Sequence, residues 1–186
     1  MKKLMIALLL LTVAVAASAD GEFIGMSFDD QYTVCYGDAA GMVDVHFYAY
    51  LGADINAITA AEFRVENYPE VAGAMAVPAW NTDLAIGSPD WGIALAFSPP
   101  VAGPYAYLGM ITFIVMDPAY FGVDYLMEIM ATNDSEVLIV VDENFVTIPV
   151  DGGLFTFNCS DPVLCPCYDA GTATLDANWG SVKALY

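Results

Sequence analysis

Four cysteines carry the most definite chemistry in this 186-residue sequence: Cys35, Cys159, Cys165 and Cys167. An even cysteine count in an exported protein predicts disulfides, and four cysteines allow three pairings. Cys35 stands near one end and the other three cluster near the other, so a bond between them ties both ends together. Closing a loop of that length contributes about 4–5 kcal/mol in the chain-entropy description. A bridge across Cys165-Pro166-Cys167 would be strained. Cys159 is therefore expected to pair with Cys165 or Cys167, and Cys35 with whichever remains. Zinc or redox chemistry is the competing use of such a cluster, but zinc sites draw on paired CxxC knuckles or histidines. The sole histidine, His46, lies in a strand-like run with Tyr48 and Tyr50.

Carboxylates are the next group. Asp29, Asp30 and Asp38, with backbone oxygens, are the candidates for calcium, although no calcium-loop spacing occurs. No other cofactor is expected. Loop carboxylates such as Asp29, Asp30, Asp83 and Asp90 could also serve a small glycoside hydrolase as an acid–base pair. Aspartate in a turn more simply satisfies its own backbone. No G-x-S-x-G elbow accompanies His46, so the chain is not expected to be an enzyme. Trp80, Trp91 and Trp179 are candidate stacking platforms for sugar, the role weighed against core packing. Trp91 precedes an alternating strand and is expected to be buried or at a rim rather than on a platform. Asn133-Asp134-Ser135 and Asn158-Cys159-Ser160 match a glycosylation pattern that occurs often by chance.

The elements that must position these residues are strands. Val43, Val45, Phe47 and Ala49 share one face of a run, and Ala61 to Glu66 turns every charge to the opposite face. Ile93, Leu95 and Phe97 repeat the spacing, as do Tyr125, Met127 and Ile129. Alternation of period two means one buried and one wet face, as in antiparallel sheets. Residues 107–116 and 137–141 are apolar on both faces and are expected as central strands. Gly, Pro, Asn and Asp punctuate these runs, and Asp142-Glu143-Asn144 predicts a tight hairpin. Residues 56–61 are the best helical candidate, a single turn. Amphipathic helices between strands, which α/β folds require, are missing. The expected fold is all-β, an antiparallel two-sheet sandwich or jelly roll of about nine to eleven strands.

Residues 1–19 read as a signal peptide: Lys2 and Lys3, an apolar run from Leu4 to Ala16, then Ala17-Ser18-Ala19, with cleavage before Asp20. The apolar run is shorter than the roughly 20 residues that cross a bilayer, so no membrane span is expected after cleavage. Residues 20–159 are then the sandwich, and 160–186 a cysteine-containing loop and tail. The tail, Trp179 to Tyr186, is expected to pack back, since exposing its apolar residues together is costly. Without the leader, only Arg64 and Lys183 oppose 23 acidic residues. Such a chain repels phosphate backbones and anionic membranes, which excludes nucleic acid as a partner. Acidity of this kind keeps molecules soluble.

Three stretches together resemble the strand order of cohesin-like modules: Ala61-Glu62-Phe63-Arg64-Val65, Leu108 to Val115, and Ile148 to Phe157. The early Cys, the Cys-x-Cys end and Trp179-Gly180-Ser181-Val182-Lys183 are similar to a set of uncharacterised secreted bacterial proteins. The resemblance covers roughly residues 22–159. It implies a nine-stranded jelly roll that works by binding, since cohesins grip a helical dockerin with one sheet face. The cysteine cluster departs from that pattern. The function expected is a non-catalytic secreted binding or structural module that recognises an extracellular protein. A carbohydrate-binding module for polysaccharide and a small hydrolase are the alternatives.

Overall fold

The structure is a computed structural model that describes residues 21–165 and residue 167. The expected leader and tail, Trp179 included, lie outside the described residues. In chain order the strands are β1 (Phe23–Ser27), β2 (Tyr36–Gly37), β3 (Met42–Tyr50), β4 (Ala57–Glu66), β5 (Ala74–Trp80), β6 (Leu84–Ser88) and β7 (Gly92–Ala102). There follow β8 (Tyr105–Val115), one helical turn α1 (Pro118–Phe121), β9 (Tyr125–Met130), β10 (Ile139–Asp142), β11 (Thr147–Pro149), β12 (Asp151–Gly152) and β13 (Leu154–Phe157). Pro162–Leu164 forms a 3-10 turn.

Two sheets face each other. One has the order β12-β1-β3-β8-β5. The eight-stranded second sheet runs β11-β10-β4-β9-β13-β2, with β7 on the other edge of β4 and β6 beyond it. β4 is the spine of this sheet. One edge pairs with β7 from Ala57 to Phe63, and the other with β10 at its start and β9 at its end. The all-β sandwich expected from the sequence is present, with thirteen strands among the described residues where nine to eleven were expected. The surplus lies in pairings too short to alternate, such as the two-residue β2 and β12. Both of these pair in parallel, β12 with β1 and β2 with β13, because the first and last strands lie side by side.

The alternation decides what is buried. Val43, Val45, Phe47 and Ala49 of β3 face Ala61, Phe63 and Val65 of β4 across the core. The Phe47 and Phe63 rings stack at 5.8 Å. Burying each such side chain contributes about 1.5–3 kcal/mol. β8 is central, between β3 and β5, and β10 lies between β4 and β11, as their two-faced apolar character required. Asp142 closes the β10–β11 hairpin by accepting the amides of Asn144 (2.8 Å) and Val146 (2.7 Å).

One expectation fails. Residues 57–61 are strand, not a helical turn. β-branched Ile58 and Thr59 disfavour helix, and the segment pairs with both β7 and β10. A register shift between Ile58 and Ala60 breaks the alternation that would have marked it. The helical turn occurs instead at Pro118–Phe121, where the Asp117 carboxylate accepts the Ala119 amide at 3.0 Å and proline fills the first position.

Cys35 is bonded to Cys167 and Cys159 to Cys165, which settles the two open pairings and leaves no free cysteine among the described residues. The first bond spans 132 residues and the second 6. Loop-closure entropy predicts about 5 kcal/mol for the first and about 2 for the second. Denaturant titration of a Cys35→Ser, Cys167→Ser variant is expected to show a loss of about 2–5 kcal/mol, larger than that of Cys159→Ser, Cys165→Ser. Equal losses would contradict this assignment of the main staple.

Candidate interaction surface

The calcium candidates are not gathered. Asp29 is turned into its own loop, where its carboxylate accepts the Ser27 hydroxyl, the Thr33 amide (2.8 Å) and hydroxyl (2.6 Å), and the Val34 amide (3.0 Å). Partial burial pushes the Asp29 carboxyl up, but these donors outweigh it and hold the group well below the usual carboxylate range. Asp30 and Asp38 are exposed. The one cluster of metal-ligating types among the described residues is Asp124 with Cys159 and Cys165. Its two sulfurs are bonded to each other, and Asp124 accepts the amide and hydroxyl of Ser160 at 2.7 and 2.8 Å. This cluster pins the cysteine loop.

The tryptophans separate. Trp80 meets Phe47 and Phe63 edge-on at 5.4 and 6.0 Å, as a core residue does. Trp91, 67% exposed, sits at the tip between β6 and β7 and is not buried. A cleft of about 770 Å³ lies beside Trp80, and Asp83 is the one carboxylate among the described residues that line it. His46 lies on the outer face of the five-stranded sheet, 6.1 Å from the Tyr107 ring, and its Nδ1 has no hydrogen-bond partner among the described residues.

An aromatic cluster unforeseen in the sequence covers part of that same face. Register places Tyr48 opposite Tyr107 and Tyr50 opposite Tyr105. The β1–β2 loop then lays Tyr32 over Tyr48 (4.4 Å) and Tyr105 (5.5 Å). Tyr48 also rests on Gly25, where a Cβ would lie 2.7 Å from its ring. Burial, then the neighbouring Tyr105 and Asp29, push the Tyr48 hydroxyl up. These rings are turned onto one another rather than spread as a flat platform. They close the loop that Asp29 holds.

The outer face of the eight-stranded sheet is different. Register brings Ala60, Ala94 and Ala96 together as a floor. Leu84 and Ile86 of β6 rise on one side, Ile139 and Val141 of β10 on the other. The hollow between them measures about 140 Å³, and Glu62 is the single charged residue lining it. Leu84 and Ile86 are 54% and 64% exposed. From β6 to β10 is three strand spacings, roughly 14 Å. The inward neighbours Ala61, Leu95 and Val140 belong to the core, so the face stands on a rigid base. Its exposed apolar side chains make this face the candidate interaction surface.

No protein-family model matches the sequence, and no curated protein matches it. Among solved structures, the chain is similar to a cohesin module from a Clostridium perfringens family 33 glycoside hydrolase. Identity is 7% and the TM-score 0.48, over 75% of this chain and 98% of that one. It is also similar to a chain of the CaDoc0917–CaCohA2 complex, with 14% identity, a TM-score of 0.42, and 73% and 99% of the two chains covered. A non-cellulosomal cohesin from the hyperthermophilic archaeon Archaeoglobus fulgidus gives 12%, 0.39, 74% and 89%. These are modules of the family that the strand sequence resembles. Scores of this size leave the architecture resting on the chain's own strand pairings, and they say nothing about its partner.

The Asp29 loop gives a pH-dependent expectation. A carboxyl held below its ordinary range stabilises the fold above that range, and the contribution is lost as pH falls through it. Asp29→Ala is expected to lower stability at pH 7 by about 1–3 kcal/mol and to flatten its dependence on pH below 5. Thermal melts at pH 3 and 7 check this; parallel pH profiles for variant and wild type would contradict it.

Proposed function

We propose that the chain is a non-catalytic module that recognises another protein outside the cytoplasm, through the outer face of its eight-stranded sheet. One observation carries the reading: the alanine-floored hollow between Leu84, Ile86 and Ile139, Val141, exposed and almost free of charge in a chain with 23 acidic residues. Depletion of charge at the centre with a polar surround is the pattern of protein interfaces. The surrounding negative charge favours a partner with a basic rim and steers it to the face. Two disulfides and a leader-like start support an oxidising, extracytoplasmic setting.

The resemblance to cohesins implies recognition through one sheet face, and in this chain the outer face of the eight-stranded sheet carries the apolar hollow. The test is differential capture. Immobilised residues 20–186 should retain a protein from the secreted fraction of the source cells. Ile139→Asp or Val141→Asp, each on the outer face and costing the fold little, should lose it by at least about tenfold, since burying one unpaired charge costs more than 1.4 kcal/mol. Retention unchanged in both variants, or retention on insoluble polysaccharide alone, would overturn the proposal.

A further inference from the structure

The rim of this face ends in a strand edge with no neighbour among the described residues. All five residues of β6, Leu84-Ala85-Ile86-Gly87-Ser88, are exposed, and β6 pairs with β7 alone. Sheet edges are ordinarily blunted by prolines, charges, bulges or extreme shortness. The other edges here follow that rule: β5 carries Pro78, β11 is three residues long and ends in Pro149, and β2 and β12 have two residues each. β6 has no proline, no charge and no register shift along its pairing.

The open backbone groups can be named. The Trp91 amide donates to the Ser88 carbonyl at 3.2 Å, so Ser88 faces its own hairpin. At the other end Thr82 Oγ1 accepts the Leu84 amide and donates to the Ala96 carbonyl, so Leu84 faces β7 too. Backbone groups alternate along an antiparallel strand, and the N–H and C=O of Ala85 and Gly87 therefore point to the open side. Ala85 offers a donor and an acceptor to an incoming strand, and Gly87 offers a second pair from a backbone turned to a φ of 96°.

We propose that β6 is a strand-acceptor edge: an extended segment of a partner protein adds to it antiparallel, with apolar residues at alternate positions and basic residues at its ends. This deepens the protein-recognition reading and rests on it. Apolar alternation follows from Leu84 and Ile86, whose side chains continue the hollow and would contact the partner's residues on the same face. Basic ends follow from charge, because Asp83 and Asp90 flank β6 on both sides and are exposed. A second copy of the chain would bring the same two aspartates and the same acidic surface, so the occupant is a different protein. Strand addition of this kind takes affinity from main-chain bonds and specificity from alternate side chains.

The test uses residues 20–186 and the peptide acetyl-Lys-Val-Thr-Val-Thr-Val-Lys-amide, followed by amide NMR and hydrogen exchange. The peptide is expected to shift the Ala85 and Gly87 amides and slow their exchange at least about tenfold at saturation, the protection a ladder bond confers. Ala85→Pro removes an outward donor without touching the β7 pairing and should abolish the effect. The pair Asp83→Lys, Asp90→Lys should weaken peptide binding at low salt and leave the fold intact. Shifts confined to other strands, or equal binding by Ala85→Pro, would overturn the proposal. So would a wild-type dimer that Ala85→Pro dissociates, which would put a second copy on the edge. If strand addition fails while Ile139→Asp still loses the captured protein, the recognition reading stands without it.

Discussion

The structure depends on the contact between the inner faces of β3 and β4. Phe47 on Phe63, with Trp80 edge-on to both, fixes how far apart the two sheets lie. Side chains that alternate cannot be re-registered by one residue without turning the whole apolar set outward. That constraint sets the pairing of β3 with β8 and of β4 with β7, β9 and β10. It also makes the outer face rigid at Ala60, Ala94, Ala96, Ile139 and Val141, whose chain neighbours Ala61, Leu95 and Val140 are packed inward.

The two faces then diverge in what they do with outward residues. On the five-stranded sheet, tyrosines consume one another's surface beneath the Asp29 loop. On the eight-stranded sheet, small residues on β4 and β7 leave a floor low enough for Leu84, Ile86, Ile139 and Val141 to stand above it. Alanine at positions 60, 94 and 96 is therefore a matter of shape: larger side chains there would fill the hollow from within. The Cys35–Cys167 bond acts far from this face and through the unfolded chain, by tying β2 to the segment after β13.

Much of the architecture was legible in the sequence because most strands have one wet face. Ala61 to Glu66 and Ile93 to Phe97 announce themselves by period two. β6 does not, because Leu84 to Ser88 is exposed on both faces and carries no inward set to mark it. Ala57 to Ala60 misled for a related reason, its register shift erasing the alternation. The two disulfides were narrowed to a pair of options by the short Cys165–Cys167 spacing, and the choice between them needed the fold. The candidate surface was hidden more deeply. Leu84, Ala96, Ala60 and Val141 come from four strands, and only their register makes them neighbours. The tyrosine cluster was hidden likewise, while Trp80, conspicuous in the sequence, is half-buried against the core.

The central claim is that recognition occurs on the outer face of the eight-stranded sheet. Hydrogen-exchange footprinting of residues 20–186, free and bound to the captured protein, tests it most directly. The account predicts new protection in Leu84–Ser88 and Ile139–Asp142, with β3 and β8 unchanged. Protection centred on Tyr50, Tyr105 and Tyr107 instead would contradict it and move the interface to the opposite sheet.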